Sequence, residues 1–182
     1  MRERRLTIEL VPSTAWYSNM RKVMSQAAWD ALRKQVYAHH HHRCGICGQT
    51  NTRLECHEIW TYDDEKYMQK LIGFIALCSL CHHVKHIGLA GMFAQEGRLD
   101  YDRLIAHYCK VNECSPDDFY RDRETAFAQW RVRSQHPWQT DLSRFEHLIM
   151  RSDAPSERKE RHLRKTGEGE REFFLLLTHD MV

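Results

Sequence analysis

The chain has 182 residues, 42% of them apolar, with few glycines and prolines, so it is long enough for one domain with its own core and excludes collagen-like or wholly disordered classes. Its net charge is only +2 with histidines neutral, so a nucleic-acid surface has to be a local patch rather than a global property. No apolar run approaches the roughly 18 residues that span a bilayer, and Glu9 and Pro12 interrupt the opening stretch where a signal peptide would need its apolar centre. The expectation is a cytoplasmic protein with no membrane partner, whose seven cysteines act as thiols and thiolates rather than disulfides.

In chain order, residues 6–11 (LTIELV) read as a short strand and 12–24 as irregular. Ser25 caps a helix running to about Ala38, with Trp29, Leu32 and Val36 on one face. The run His39 to His42 reads as a solvated, fraying helix end, where histidine suits the negative pole of the dipole. Residues 52–60 read as a strand, 61–70 as a polar connection, and the apolar 71–78 as a second buried strand or turn. A helix starts near Cys81 and ends by Gly88 or passes Gly91.

Another helix covers 100–111, with Leu104, Ile105, Tyr108 and Val111 as its apolar positions. Ser115-Pro116-Asp117-Asp118 is a strong helix start: serine caps, proline fits the first turn, and the acids meet the positive pole. That helix extends towards Ser134, with Phe119, Phe127 and Trp130 expected in the core, and a last helix covers 142–150. Residues 151–172 are almost wholly polar and read as a flexible tail whose Arg158 to Lys165 stretch is solvated or touches phosphates, while the apolar end FFLLLTHDMV docks on the domain or on another copy.

Two pairs carry the chemistry. Cys44-Gly-Ile-Cys47 and Cys78-Ser-Leu-Cys81 have the spacing at which four thiolates share one tetrahedral zinc through tight turns, which Gly45 and Gly48 ease. Cys56, Cys109 and Cys114 are left as small buried side chains. His82 and His86 stand four apart, so a helix puts both imidazoles on one face, and His57-Glu58 lie upstream on the expected strand.

Cys44-x-x-Cys47, then Leu54-Glu55-Cys56-His57-Glu58-Ile59, then Leu77-Cys78-x-x-Cys81-His82-x-x-x-His86, resemble the HNH nuclease family over roughly residues 40–90. The resemblance implies an α+β fold: a ββα-metal (HNH) core with a zinc knuckle, decorated by additional helices. It divides the chain into an accessory segment at 1–24, the nuclease domain at 25–96, a helical extension at 97–150 and a charged tail at 151–182.

It further implies a metal-dependent endonuclease that hydrolyses phosphodiester bonds in DNA, and leaves open RNA as a substrate and a homo-oligomer or larger nuclease complex as the assembly. The cofactors it implies are a structural zinc at Cys44, Cys47, Cys78 and Cys81 and a catalytic divalent ion (magnesium, manganese, nickel or zinc) at His57, His82 and His86. Glu58 falls where most members place a general-base histidine, so Glu58, with His57 and His82, makes up the expected catalytic set. Gly73 stands near the family's middle asparagine, and His83 is the substitute base should Glu58 not serve. Arg53, Lys66, Lys70 and Lys85 are the expected contacts to backbone phosphates. The other reading is a zinc-stapled nucleic-acid- or protein-binding module without catalysis, distinguished by whether a second, exchangeable ion binds.

Overall fold

A computed structural model describes residues 3–15 and 19–152. The expectations for Trp16 and Tyr17, the basic Arg158 to Lys165 stretch and the apolar C-terminal end lie outside the described residues. Among the described residues the fold is mixed α+β, with a three-stranded sheet and seven α-helices.

Strands β1 (Leu54–Asp63) and β2 (Met68–Cys78) form an antiparallel hairpin, in which Leu54 pairs with Cys78 and His57 with Ile75. Both strands are longer than the sequence pattern suggests, because the ladder continues through the polar residues up to Asp63 and back from Met68. A bulge interrupts the register at Ile59/Trp60, where the partners jump from Gly73 to Leu71. A short strand β3 (Gln139–Asp141), absent from the sequence reading, runs parallel to the start of β2. The sheet order is β1-β2-β3, so β1 is an edge strand with one row of backbone groups facing outward.

Each face of the hairpin buries its own core, and the alternation along β2 explains its apolar run. Ile75 and Leu77 face one cluster, which also holds Leu6, Cys44, Cys78, Cys81, Val84, Leu104, Tyr108 and Phe119. Phe74 and Ala76 face the other, with Met20, Trp29, Leu32, Val36 and Phe145. The second face is covered by α1 (Met20–Val23), α2 (Gln26–His39) and α7 (Glu146–Ser152). Ser25 caps α2 by accepting from the Ala28 amide, and Trp29, Leu32 and Val36 are its buried stripe, as their spacing predicts. The first face is covered by α3 (Ser79–Lys85), α4 (Ile87–Gln95), α5 (Tyr101–Asn112) and α6 (Pro116–Arg133).

The helix expected from Cys81 is broken in two at His86, whose φ −105°, ψ 49° lies outside the helical region. In α5, Leu104, Ile105, Tyr108 and Val111 are all buried. Helix α6 opens with a full capping box, in which Ser115 accepts from the Asp118 amide while the Asp118 carboxylate accepts from the Ser115 amide. Its core assignment is corrected: only Phe119 is buried, while Phe127 and Trp130 are half-buried and meet edge to face at 6.3 Å. The reason is that Trp130 packs under the N-terminal segment, its Nε1–H donating to the Val11 carbonyl at 3.0 Å, rather than into the sheet.

The expected strand at 6–11 is also not one. Residues 4–9 run as a strap without sheet pairing, bent at Arg5 and Leu6. Leu6 is inserted into the first core, and its backbone amide and carbonyl are both matched by the side-chain amide of Asn112, at 2.9 Å each. The accessory segment and the helical extension thus share one core with the knuckle cysteines. At the hairpin tip, Arg133 pairs with both oxygens of Asp64 at 2.7 Å and lies over the Tyr62 ring at 4.4 Å, tying α6 to the turn. Among the described residues no helix is long and apolar enough to cross a membrane.

Candidate metal centres and the cleft beside them

Local backbone chemistry builds the cysteine site first. After α2, His41 and His42 take left-handed backbone (φ 51° and 55°) and turn the chain towards the hairpin. The Gly48 amide then donates to the Cys44 carbonyl at 2.9 Å with φ +74°, the conformation glycine tolerates best. The Gly45 amide donates to the Ala76 carbonyl at 2.7 Å, which fastens the loop to β2. A Cβ at Gly45 would lie 2.7 Å from Ile75 Cγ1 and 2.9 Å from His40 Cε1, so only glycine fits this approach.

The result brings Cys44, Cys47, Cys78 and Cys81 together with their sulfurs within 4.8 Å of one another. Cys47 and Cys78 Sγ are 3.6 Å apart, close to the roughly 3.8 Å edge of a tetrahedron with metal–sulfur bonds of about 2.3 Å. The Cys44 thiol is drawn down by hydrogen bonds from Cys78 and Cys81, while those two are pushed up by facing Cys44, Cys78 to about 12. Such crowding of sulfurs is relieved by a dication, so this group can hold a structural metal ion. Cys56, Cys109 and Cys114 stay outside it, all half-buried and unbridged. His107 Nε2 on α5 lies 3.1 Å from Cys81 Sγ, a contact that no sequence pattern marks.

The second group is His57, His82 and His86, with one ring nitrogen from each inside the same 4.8 Å limit. His57 comes from β1, His82 from the last turn of α3 and His86 from the break between α3 and α4. Their ring centroids are 5.5 Å (His57–His82), 5.0 Å (His57–His86) and 4.7 Å (His82–His86) apart. Burial pushes the His57 imidazole down, and burial with the neighbouring His57 and His82 brings His86 down to about 3. Both rings are therefore neutral at physiological pH, which is the form that ligates metal.

Two carboxylates back the trio. Glu55 Oε2 is 2.9 Å from His82 Nδ1, and this contact lowers the Glu55 carboxyl. Glu9 Oε2 is 3.2 Å from His57 Nε2. Burial raises the Glu9 carboxyl, but the bond to His57 and the charge of Lys85 outweigh it and bring it down to about 2. The sequence reading missed Glu9 altogether, since it sits on the strap far from any motif.

Glu58 alternates to the other face of β1. Its Oε1 accepts from the Met20 amide at 2.9 Å, and burial, opposed by the backbone amides of Met20 and Arg21, raises its carboxyl to about 7. Because β1 is an edge strand, both faces open on one cleft of about 550 Å³, and His57, His82, His86, Glu9, Glu55 and Glu58 all line it. His83 does not line the cleft; its Nδ1 is 3.2 Å from Ser79 Oγ and its ring meets Phe93. Gly73 pairs with Ile59 in the ladder, and a Cβ there would meet only Ile59 Cδ1, at 3.7 Å.

Of the four expected phosphate contacts, only the exposed Arg53 lines the cleft. Lys66 pairs with Asp63 at 3.0 Å at the hairpin tip, and Lys70 lies 3.5 Å from Asp141. Lys85 is corrected: it is 8% exposed, donates to Thr7 Oγ1 at 2.8 Å and pairs with Glu9, so it is not open to a phosphate. The other cations at the cleft are Arg21, Lys22 and Arg33, brought there by α1 and α2 rather than by the motif region. No family model, no curated protein and no solved structure matches the chain.

Proposed function

We propose that the chain is an HNH-type, metal-dependent endonuclease that hydrolyses phosphodiester bonds in DNA. The observation that carries this reading is the convergence of His57, His82 and His86, two of them neutral by burial and two backed by carboxylates, on a cleft beside the four-cysteine knuckle. A purely structural ion would be enclosed, whereas three imidazoles at a cleft leave positions for water and phosphate. When bound, a divalent ion would offset charge on the scissile phosphate and on the leaving 3′ oxygen.

The chain's own residues do the rest. His57, His82 and His86 would hold that ion, with Glu55 fixing the ring of His82. Glu58 takes the proton of the attacking water from the other side of the β1 edge. Its raised carboxyl is a stronger base than an ordinary glutamate, and the Met20 amide holds one of its oxygens. Arg53, Arg21 and Lys22 meet the flanking phosphates. Cys44 and Cys47 on the loop after α2 and Cys78 and Cys81 at the β2–α3 junction would hold the knuckle metal, and holding it would fix where His82 and His86 stand relative to His57.

The test is cleavage of supercoiled plasmid and of a labelled RNA by zinc-loaded protein, with magnesium, manganese, nickel or zinc added, and with chelator. Chelator-sensitive nicking that is lost in His82→Ala at unchanged zinc content and circular dichroism is the expected result. Nucleic-acid binding with no cleavage under any ion would replace the enzyme by a zinc-stapled binding module.

A further inference from the structure

We propose that Glu9 is the positioning carboxylate of His57, clamped in place by Lys85, so that the N-terminal strap is part of the ion site. This rests on reading His57, His82 and His86 as that site.

Glu9 is held from several directions. Its Oε2 lies 3.2 Å from His57 Nε2, and its Oε1 is paired with the Lys85 ammonium. Its backbone amide donates to the Lys85 carbonyl at 3.1 Å. Lys85 also donates to Thr7 Oγ1 at 2.8 Å, on the same strap. A surface glutamate that touched a histidine by chance would not be gripped in this way. Lys85 is 8% exposed, and a buried ammonium is tolerated only when it is paired. Lys85 is also the last residue of α3, between His82 and the His86 break, so the clamp is built on the element that supplies the other two imidazoles.

The arrangement repeats one already present. Glu55 engages Nδ1 of His82, and Glu9 engages Nε2 of His57. Metal-bound histidines almost always give their second ring nitrogen to such a partner, which fixes tautomer and ring orientation. Each carboxylate thereby leaves one nitrogen of its imidazole for the ion.

The strap has an anchor of its own. Arg4 pairs with Asp122 at 2.8 Å, Arg5 donates to the Ile46 carbonyl at 2.9 Å, and Leu6 is bracketed by Asn112. Ile46 lies between Cys44 and Cys47, so the same short segment that delivers Glu9 to His57 is pinned to the knuckle loop four residues earlier. The strap thus joins the knuckle loop to the carboxylate beside His57.

The experiment uses full-length, zinc-loaded protein. Long-range proton–nitrogen NMR reads the His57 tautomer without a second ion, and calorimetry reads manganese binding. Glu9→Ala alone strands a buried Lys85, so the test uses Glu9→Ala/Lys85→Met, with Glu9→Gln as the variant that keeps size and Lys85. Wild type should show one His57 tautomer with its proton on Nε2. The double variant should mix the tautomers and weaken manganese binding about 10–100-fold, and Glu9→Gln should move both in the same direction by less. Tautomer and affinity unchanged within twofold in both variants would overturn the proposal. Weakened binding at an unchanged tautomer would make Glu9 a ligand rather than a positioning group, and also overturns it. A Glu9-dependent tautomer in a wild type that binds no manganese would uphold the Glu9–His57 pairing and overturn the ion-site reading instead.

Discussion

Glu58 and His57 are neighbours in sequence and opposites in space, and this sets what each can do. In a strand successive side chains point to opposite faces, so His57 joins His82 and His86 while Glu58 reaches the Met20 amide. Glu58→Gln keeps the size and the acceptor but removes basicity. On the proposed endonuclease reading it should lower the cleavage rate about 10²–10⁴-fold with manganese affinity nearly unchanged, as read by single-turnover cleavage and calorimetry. Weaker manganese binding rescued by excess ion would make Glu58 a ligand instead. Gly45 gives a purely steric prediction. Gly45→Ala forces a methyl against Ile75 and His40, and overpacking of this kind costs about 1–3 kcal/mol, to be read as a lower urea midpoint at unchanged m-value. The sequence could show that Cys44, Cys47, Cys78, Cys81, His57, His82 and His86 have ligand chemistry at ligand spacing. It could not show Glu9, because 48 residues separate it from His57 and nothing local marks it. For the same reason Lys85 read as a free cation, when its partners Thr7 and Glu9 arrive from the other end of the chain.

Elements were legible where local chemistry decides them and illegible where tertiary pairing does. Ser25 and Ser115 mark true helix starts because a capping hydrogen bond is a short-range event. Removing the cap should be measurable: Ser115→Ala loses one half of a capping box and should cost about 1 kcal/mol, with circular dichroism unchanged at low temperature. No change in the unfolding midpoint would mean that packing of Phe119 alone holds the start of α6. The strand ends, in contrast, were set by the partner strand. Asp63 and Met68 pair with each other, so polar residues that look like a loop become ladder. β3 is three residues long and exists only because it pairs with the start of β2. The segment LTIELV has strand-forming residues, yet it is spent as a strap, since Asn112 rather than a neighbouring strand takes up the backbone groups of Leu6. Phe127 and Trp130 follow helical spacing, but Phe127 packs at the rim of the first core and Trp130 donates to the Val11 carbonyl, so periodicity placed them on a face without saying what that face meets.

At the scale of the whole molecule, the knuckle is not a small appendage on a self-sufficient domain. Cys44, Cys78 and Cys81 belong to the same buried cluster as Leu6, Leu77, Leu104, Tyr108 and Phe119. A structural zinc contributes apparent binding free energy on the order of 10 kcal/mol in peptide models, while domains of this size have a net stability of about 5–15 kcal/mol. Since the two magnitudes are comparable, loss of the metal should remove most of the margin rather than loosen one loop. The burial of three thiols adds to this, because without a cation their sulfurs crowd each other in an apolar setting. Cys47→Ser, or prolonged treatment with a strong chelator, should therefore expose amides well away from the cysteines. Hydrogen exchange at Leu104 to Val111 of α5 reads this directly. Those amides should be as strongly protected as the hairpin in zinc-loaded protein and lose protection together with it in the stripped form, with the thermal transition broadened or lost. Protection that persists in α5 while only residues 43–49 exchange would show that the helical extension folds on its own, and that the metal serves the site alone.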